Sequence, residues 1–148
     1  MTDILLLAHT PLASALAAVA AHAFPECGAQ LRALDIGADM GVDQVEALLR
    51  RTIATMHSDA ILILVDVAGA TPCNAAQRLS GRPGLALVAG VNVAMLWRTL
   101  CYRSETPEAL ARRAFEGGVT GVQLLIRPPR LDQPPAAAFD DQDPNSNQ

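Results

Sequence analysis

Ile61-Leu62-Ile63-Leu64-Val65-Asp66-Val67-Ala68-Gly69-Ala70-Thr71-Pro72 decides how the chain is read. An unbroken apolar run this short fits a strand buried on both faces, the habit of parallel sheets covered by helices. One carboxylate, Asp66, ends the run, and Gly69 loosens the loop after it. Thr71-Pro72 then opens a helix, because proline at a first helical position has no N–H to leave unpaired. A second stretch repeats the design: Ile4-Leu5-Leu6-Leu7-Ala8, then His9, then Thr10-Pro11.

Working outward, strands and helices alternate. After 4–8, Leu12, Leu16, Val19 and Ala23 recur at helical spacing, with Thr10 expected as cap and Phe24-Pro25 as the stop. A weaker strand is expected over 30–36. Asp43 with Glu46 three residues on resembles a reciprocal cap, ahead of an amphipathic stripe through Val45, Leu49, Ile53 and Met56. A fourth strand is read over 85–89 and ends in Gly90-Val91-Asn92, with Asn92 capping the next helix. Thr106-Pro107 opens a further helix, Gly117-Gly118 is read as its stop, and 122–126 as the last strand.

The alternation predicts an α/β fold, a flavodoxin-like open, mostly parallel sheet with helices on both faces. Right-handed crossovers gather the strands' C-terminal ends on one edge, so His9, Asp66 and Gly90 share it. A flavodoxin-like strand order sets the first and third strands side by side, bringing His9 to Asp66. Residues 1–127 are read as one domain. From Pro128 to Gln148 the chain is rich in Pro and Asp and is expected to be a disordered tail.

Composition narrows the function. Net charge is −4, of which the tail supplies −3 through one Arg and four Asp, leaving a near-neutral body unsuited to nucleic acid. All 11 basic residues are Arg, which removes the lysines of a Walker loop and of Schiff-base chemistry. Neither a signal peptide nor an apolar run near the roughly 18 residues of a membrane span is read, so a cytoplasmic protein is expected, with no membrane insertion. Cys27, Cys73 and Cys101 lack disulfide-framework or zinc spacing, and the motifs call for no metal or cofactor.

At the shared edge, Asp66 accepting from Nδ1–H of His9 would fix the tautomer and leave Nε2 as nucleophile. Helix starts at Thr10-Pro11 and Thr71-Pro72 would favour an anion there, with the Thr71 hydroxyl and the backbone from Gly69 to Cys73 as its ligands. The bare pattern fits equally a histidine that caps a helix or binds water. Cys73 in a first turn is a candidate thiolate, although a buried, inert cysteine is the commoner outcome.

Three segments together resemble the enzyme IIA domain of the mannose family of the sugar phosphotransferase system (PTS). They are His9 after the first strand; Asp66-Val67-Ala68-Gly69-Ala70-Thr71-Pro72-Cys73-Asn74; and Gly90-Val91-Asn92-Val93-Ala94-Met95-Leu96. The sequence departs from the family pattern at Thr10, Ala70 and Ala94, where Gly, Gly and Pro are usual. The resemblance implies a phosphocarrier: His9 takes a phosphoryl group from phospho-HPr and passes it to a IIB component, while Asp66 orients the ring. Thr71, Gly69, Thr10 and Asn74 are then the expected phosphoryl-binding set. It also implies a homodimer in which the last strand, 122–126, is antiparallel and exchanged. The alternative is a regulatory IIA module whose His9 phosphorylation state controls a target without sugar transport. A thiol enzyme using Cys73 ranks below both.

Overall fold

The computed structural model describes residues 1–28 and 31–126. The expected tail from Pro128 lies outside them, as does Gln30, the expected first residue of the second strand. The elements in order are β1 (Asp3–His9), α1 (Leu12–Ala23), the short α2 (Pro25–Gly28), β2 (Arg32–Ile36), α3 (Val42–Ala54), β3 (Ile61–Val65), α4 (Thr71–Gln77), β4 (Leu85–Ala89), α5 (Val93–Cys101) and α6 (Pro107–Thr120). The four strands form one sheet in the order β2-β1-β3-β4, every pair parallel. The α/β reading and the adjacency of the first and third strands are therefore observed.

β1 and β3 are central, and their apolar residues are sealed from solvent: Ile4 through Ala8 and Ile61 through Val65 are all 0% exposed. Each large aliphatic side chain so buried contributes about 1.5–3 kcal/mol. Alternation along the strands divides the core into two layers. Leu5, Leu7, Ile63 and Val65 pack with Val45, Leu49 and Ile53 of α3 and with Cys73, Ala75 and Ala76 of α4. Ile4, Leu6, Ala8, Leu62 and Leu64 pack against Ala13 and Leu16 of α1, Met95 and Leu96 of α5, and Leu110 and Ala114 of α6.

Asn92 caps α5 as expected, its Oδ1 accepting from the Met95 amide at 2.8 Å, and Thr106 caps α6 through the Ala109 amide at 3.4 Å. Other expectations are corrected. Thr10 does not cap α1. The helix begins at Leu12 behind Pro11, the Thr10–Pro11 peptide is cis, and no residue of that turn supplies a side-chain cap. α3 is not capped by Asp43: its N-cap is Gly41, whose amide donates to Gln44 Oε1 at 2.8 Å. Asp43 and Glu46 instead bind Arg78 at 2.6 and 3.0 Å, tying α3 to the end of α4.

Gly117 and Gly118 do not stop α6, which continues to Thr120. They are buried where α6 meets α5: a Cβ on Gly117 would lie 2.6 Å from Arg98 Cβ, and one on Gly118 would lie 2.7 Å from Met95 Cε. Their missing side chains permit the close helix contact. Residues 122–126 carry no strand in this single chain, and Val122, Leu124, Leu125 and Ile126 are 77%, 85%, 87% and 70% exposed. An isolated strand has no ladder to complete. β4, the edge of the sheet, pairs with β3 on one side.

Candidate functional site

The register of β1 against β3 builds the site. Leu7 pairs with Val65, so His9 lies two residues past that pair and Asp66 one. Both leave the sheet at its C-terminal edge. The Nδ1 of His9 is 2.6 Å from Asp66 Oδ2, and the His9 backbone amide donates to the same oxygen at 2.9 Å. Asp66 Oδ1 accepts from the Val67 amide at 2.8 Å. One carboxylate thus receives the backbone and ring of the histidine and the start of its own loop.

The pair is asymmetric in exposure, the His9 side chain being 45% exposed and that of Asp66 9%. Burial by itself would raise the Asp66 carboxyl. The hydrogen bonds from the His9 amide, the His9 ring and the Val67 amide outweigh it and hold the group below the usual carboxylate range. An ionised Asp66 accepts from Nδ1–H, which selects the tautomer with its lone pair on Nε2. The ring therefore offers Nε2, from an exposed position, to an incoming electrophile.

Two loops frame it. After Asp66 the chain turns through Gly69, whose φ of 85° is left-handed and suits glycine. Nothing lies within 4 Å of a Cβ placed there, so the requirement is conformational. Asn74 Nδ2 donates to the Gly69 carbonyl at 3.0 Å, bracing the loop against α4. Gly90, with φ 91°, turns β4 back so that the Gly90 and Val91 amides both donate to the Val65 carbonyl at 2.9 Å. The first, second and third motif segments thus converge on one edge.

Of the expected residues, His9 and Asp66 are brought into direct contact. Thr71 is the first residue of α4, partly buried, with Ala70 as N-cap and no side chain capping the helix. Its helix packs, through Cys73, Ala75 and Ala76, on the layer to which Leu5 and Leu7 point, and strand alternation puts His9 on that same layer. Asn74 is engaged with Gly69. Thr10 uses its amide to bind the Ile36 carbonyl at 3.0 Å. Cys73 is 1% exposed within the core, as expected of an inert thiol. His22 and His57 are exposed and away from the pair; the His57 amide binds Asp3 at the opposite end of β1. Among the described residues, no three His, Cys, Asp or Glu side chains are grouped to hold a metal, and no helix is long and apolar enough to cross a membrane.

Sequence reading missed Asp35 at the end of β2, whose Oδ1 accepts from the Ser14 amide in the first turn of α1 at 3.1 Å. Its one visible signal is a charge in an otherwise mostly apolar strand.

Comparison with known proteins converges on one family. The family model described as "PTS system fructose IIA component" (EIIA-man) matches residues 3–114. The chain is similar to the PTS system mannose-specific EIIAB component of Escherichia coli strain K12, with 38% identity over 81 residues. That match covers 53% of this chain and 25% of the relative, so the chain spans about a quarter of the length of the curated relatives it matches. Among solved structures it is similar to the mannose/sorbose specific IIA subunit of the phosphotransferase system from Enterococcus faecalis. There the TM-score is 0.78 and the identity 26%, over 86% of this chain and 96% of that one. Component EIIA from Streptococcus agalactiae shares the fold, with TM-score 0.75 and 21% identity over 83% and 96% of the two chains.

Proposed function

Because the chain belongs to the mannose family of PTS IIA components, we propose that it is a cytoplasmic phosphocarrier charged on His9 by phospho-HPr and discharged to a IIB component. The observation that carries this reading is the short His9–Asp66 contact on an exposed ring. In the first step the Nε2 lone pair of His9 attacks phosphorus. The P–N bond to the HPr histidine breaks, and its electron pair returns to that imidazole. Nδ1–H remains on Asp66, whose negative charge balances the positive charge that develops on the His9 ring. Attack by the IIB nucleophile on the same phosphorus reverses these roles. Such transfers ask the protein mainly for positioning and charge stabilisation.

Thr71 and the Gly69 loop form the phosphoryl-binding side, with Asn74 holding the loop. Leu12 and Val67, 40% and 52% exposed, flank His9 in sequence and in the loop of its partner Asp66. They give an incoming carrier protein an apolar rim. Residues 1–127 form the carrier unit. Two copies pair by exchanging 122–126 as an antiparallel strand against the sheet edge; the exposure of that apolar segment and the open side of β4 support this.

The test is incubation with phosphoenolpyruvate, enzyme I and HPr, followed by detection of acid-labile phosphate. Wild type takes up the label, His9→Ala does not, and a IIB component removes it. Absence of uptake by wild type, or equal uptake by His9→Ala, overturns the carrier reading. Stable label that no IIB removes favours the regulatory module.

A further inference from the structure

The start of α1 poses an accounting problem. Helix N-termini leave amides without intrahelical partners, and Pro11, the N-cap here, has no side chain to meet them. The acceptor comes from another strand: Asp35 Oδ1 takes the Ser14 amide at 3.1 Å. Ser14 Oγ in turn donates to the Pro11 carbonyl at 3.0 Å, and the Thr10 amide binds the carbonyl of Ile36, the next residue of β2. In the β1–β2 register Ala8 faces Asp35 and His9 faces Ile36. The turn His9-Thr10-Pro11 is thus held by Asp66 on the β3 side and by Asp35 and Ile36 on the β2 side. β1 lies between two strands that each carry a carboxylate at or just past their C-terminal end, Asp35 in β2 and Asp66 after β3.

We propose that Asp35 is a positioning residue for the transfer reaction, fixing the His9 turn by capping α1 from β2 and keeping the phosphoryl group on His9 ready to leave. The second half follows from charge. An uncapped start of α1 would add positive potential to the edge that receives a phosphoryl dianion. With Asp35 on it, that potential is offset, and a second negative charge stands on the strand next to His9, on the α1 face of the sheet. This favours passing the group on over retaining it. The proposal rests on the carrier reading.

Two variants separate the roles. Asp35→Asn keeps an oxygen for the Ser14 amide and removes the charge; Asp35→Ala removes both. His9 is loaded with phosphoramidate, which needs no HPr, and the phosphohistidine lifetime is followed by phosphorus NMR; partition of the group between HPr and His9 is measured separately. Asp35→Asn should lengthen the lifetime and shift the partition toward His9 by about twofold, as expected for loss of one negative charge roughly 10 Å away in water, with thermal stability unchanged. Asp35→Ala should also slow loading by about tenfold, and Asp35→Asn should restore it. Equal lifetimes in wild type and Asp35→Asn overturn the charge role, and wild-type loading of Asp35→Ala overturns the positioning role. Loading by phosphoramidate but never by phospho-HPr sinks the carrier reading instead, while the lifetimes still decide the role of Asp35.

Discussion

Asp66→Asn is the sharpest test of the site. The native carboxylate accepts from three donors: the His9 amide at 2.9 Å, His9 Nδ1 at 2.6 Å and the Val67 amide at 2.8 Å. An asparagine has one oxygen and one NH2. If the oxygen faces His9, the NH2 meets the Val67 amide donor to donor; if it faces Val67, both His9 donors lose their acceptor. Either choice costs about 1–3 kcal/mol for unmet polar groups at a mostly buried position. At roughly 4 °C for each kcal/mol in a domain of this size, the melting temperature should fall by about 4–12 °C. The kinetic loss is separate. A hydrogen bond to a charged group is worth about 1.5–3 kcal/mol, and if it acts fully while the ring becomes cationic, loading slows about 10- to 150-fold. Single-turnover transfer from labelled phospho-HPr measures this directly, below the variant's melting range. Loading of Asp66→Asn within twofold of wild type would refute the argument that Asp66 orients and balances the ring.

The remaining predictions concern the frame of the site and the seam behind it. Gly69→Ala meets no steric neighbour but must hold φ 85°, which costs about 1–2 kcal/mol; a lowered melting temperature together with slower loading is expected, and unchanged loading would show that the loop's conformation is immaterial. Gly117→Ala meets Arg98 Cβ at 2.6 Å and should destabilise by about 1–3 kcal/mol through overpacking. Its loading rate at low temperature should match wild type, since the α5–α6 contact lies away from His9. For pH, the Asp66 carboxyl in the folded state is depressed, after burial is overcome by its hydrogen bonds. Its stabilisation is therefore present above the ordinary carboxylate pKa of the unfolded chain and lost as pH falls through the lower folded value. The melting-temperature gap between wild type and Asp66→Asn should narrow on acidification; a gap that widens contradicts the assignment.

What sequence could and could not show follows the range of each interaction. β1 and β3 were legible because both faces are buried, which writes an unbroken apolar run. Their adjacency was inferred from chain topology, and the observed register made the His9–Asp66 contact. Asn92 is legible as a cap, and Thr106-Pro107 as a helix start, because the capping side chain bonds an amide three residues along. The starts of α1 and α3 are not legible locally because their acceptors are elsewhere: Asp35 reaches α1 from another strand, and Gln44 reaches back to Gly41 from inside its helix. Gly117-Gly118 reads locally as a helix end because glycine weakens a helix. Contact with α5, invisible in the local pattern, makes small residues necessary there. The run at 122–126 and the family resemblance both point to a strand, but a strand also needs a neighbour, and the four-stranded sheet of the single chain does not include it.

The registration of β1 on β3 makes His9 a reporter of correct assembly. His9 and Asp66 are 57 positions apart in the chain, and they meet because Leu7 stands opposite Val65. Slippage by a single residue would displace the imidazole by about 3.3 Å and turn it to the other layer. A chain with its central strands mispaired would therefore lack the orienting carboxylate and accept phosphate poorly. If His9 carries the phosphoryl group as proposed, charging would be confined to molecules whose central strands are correctly paired.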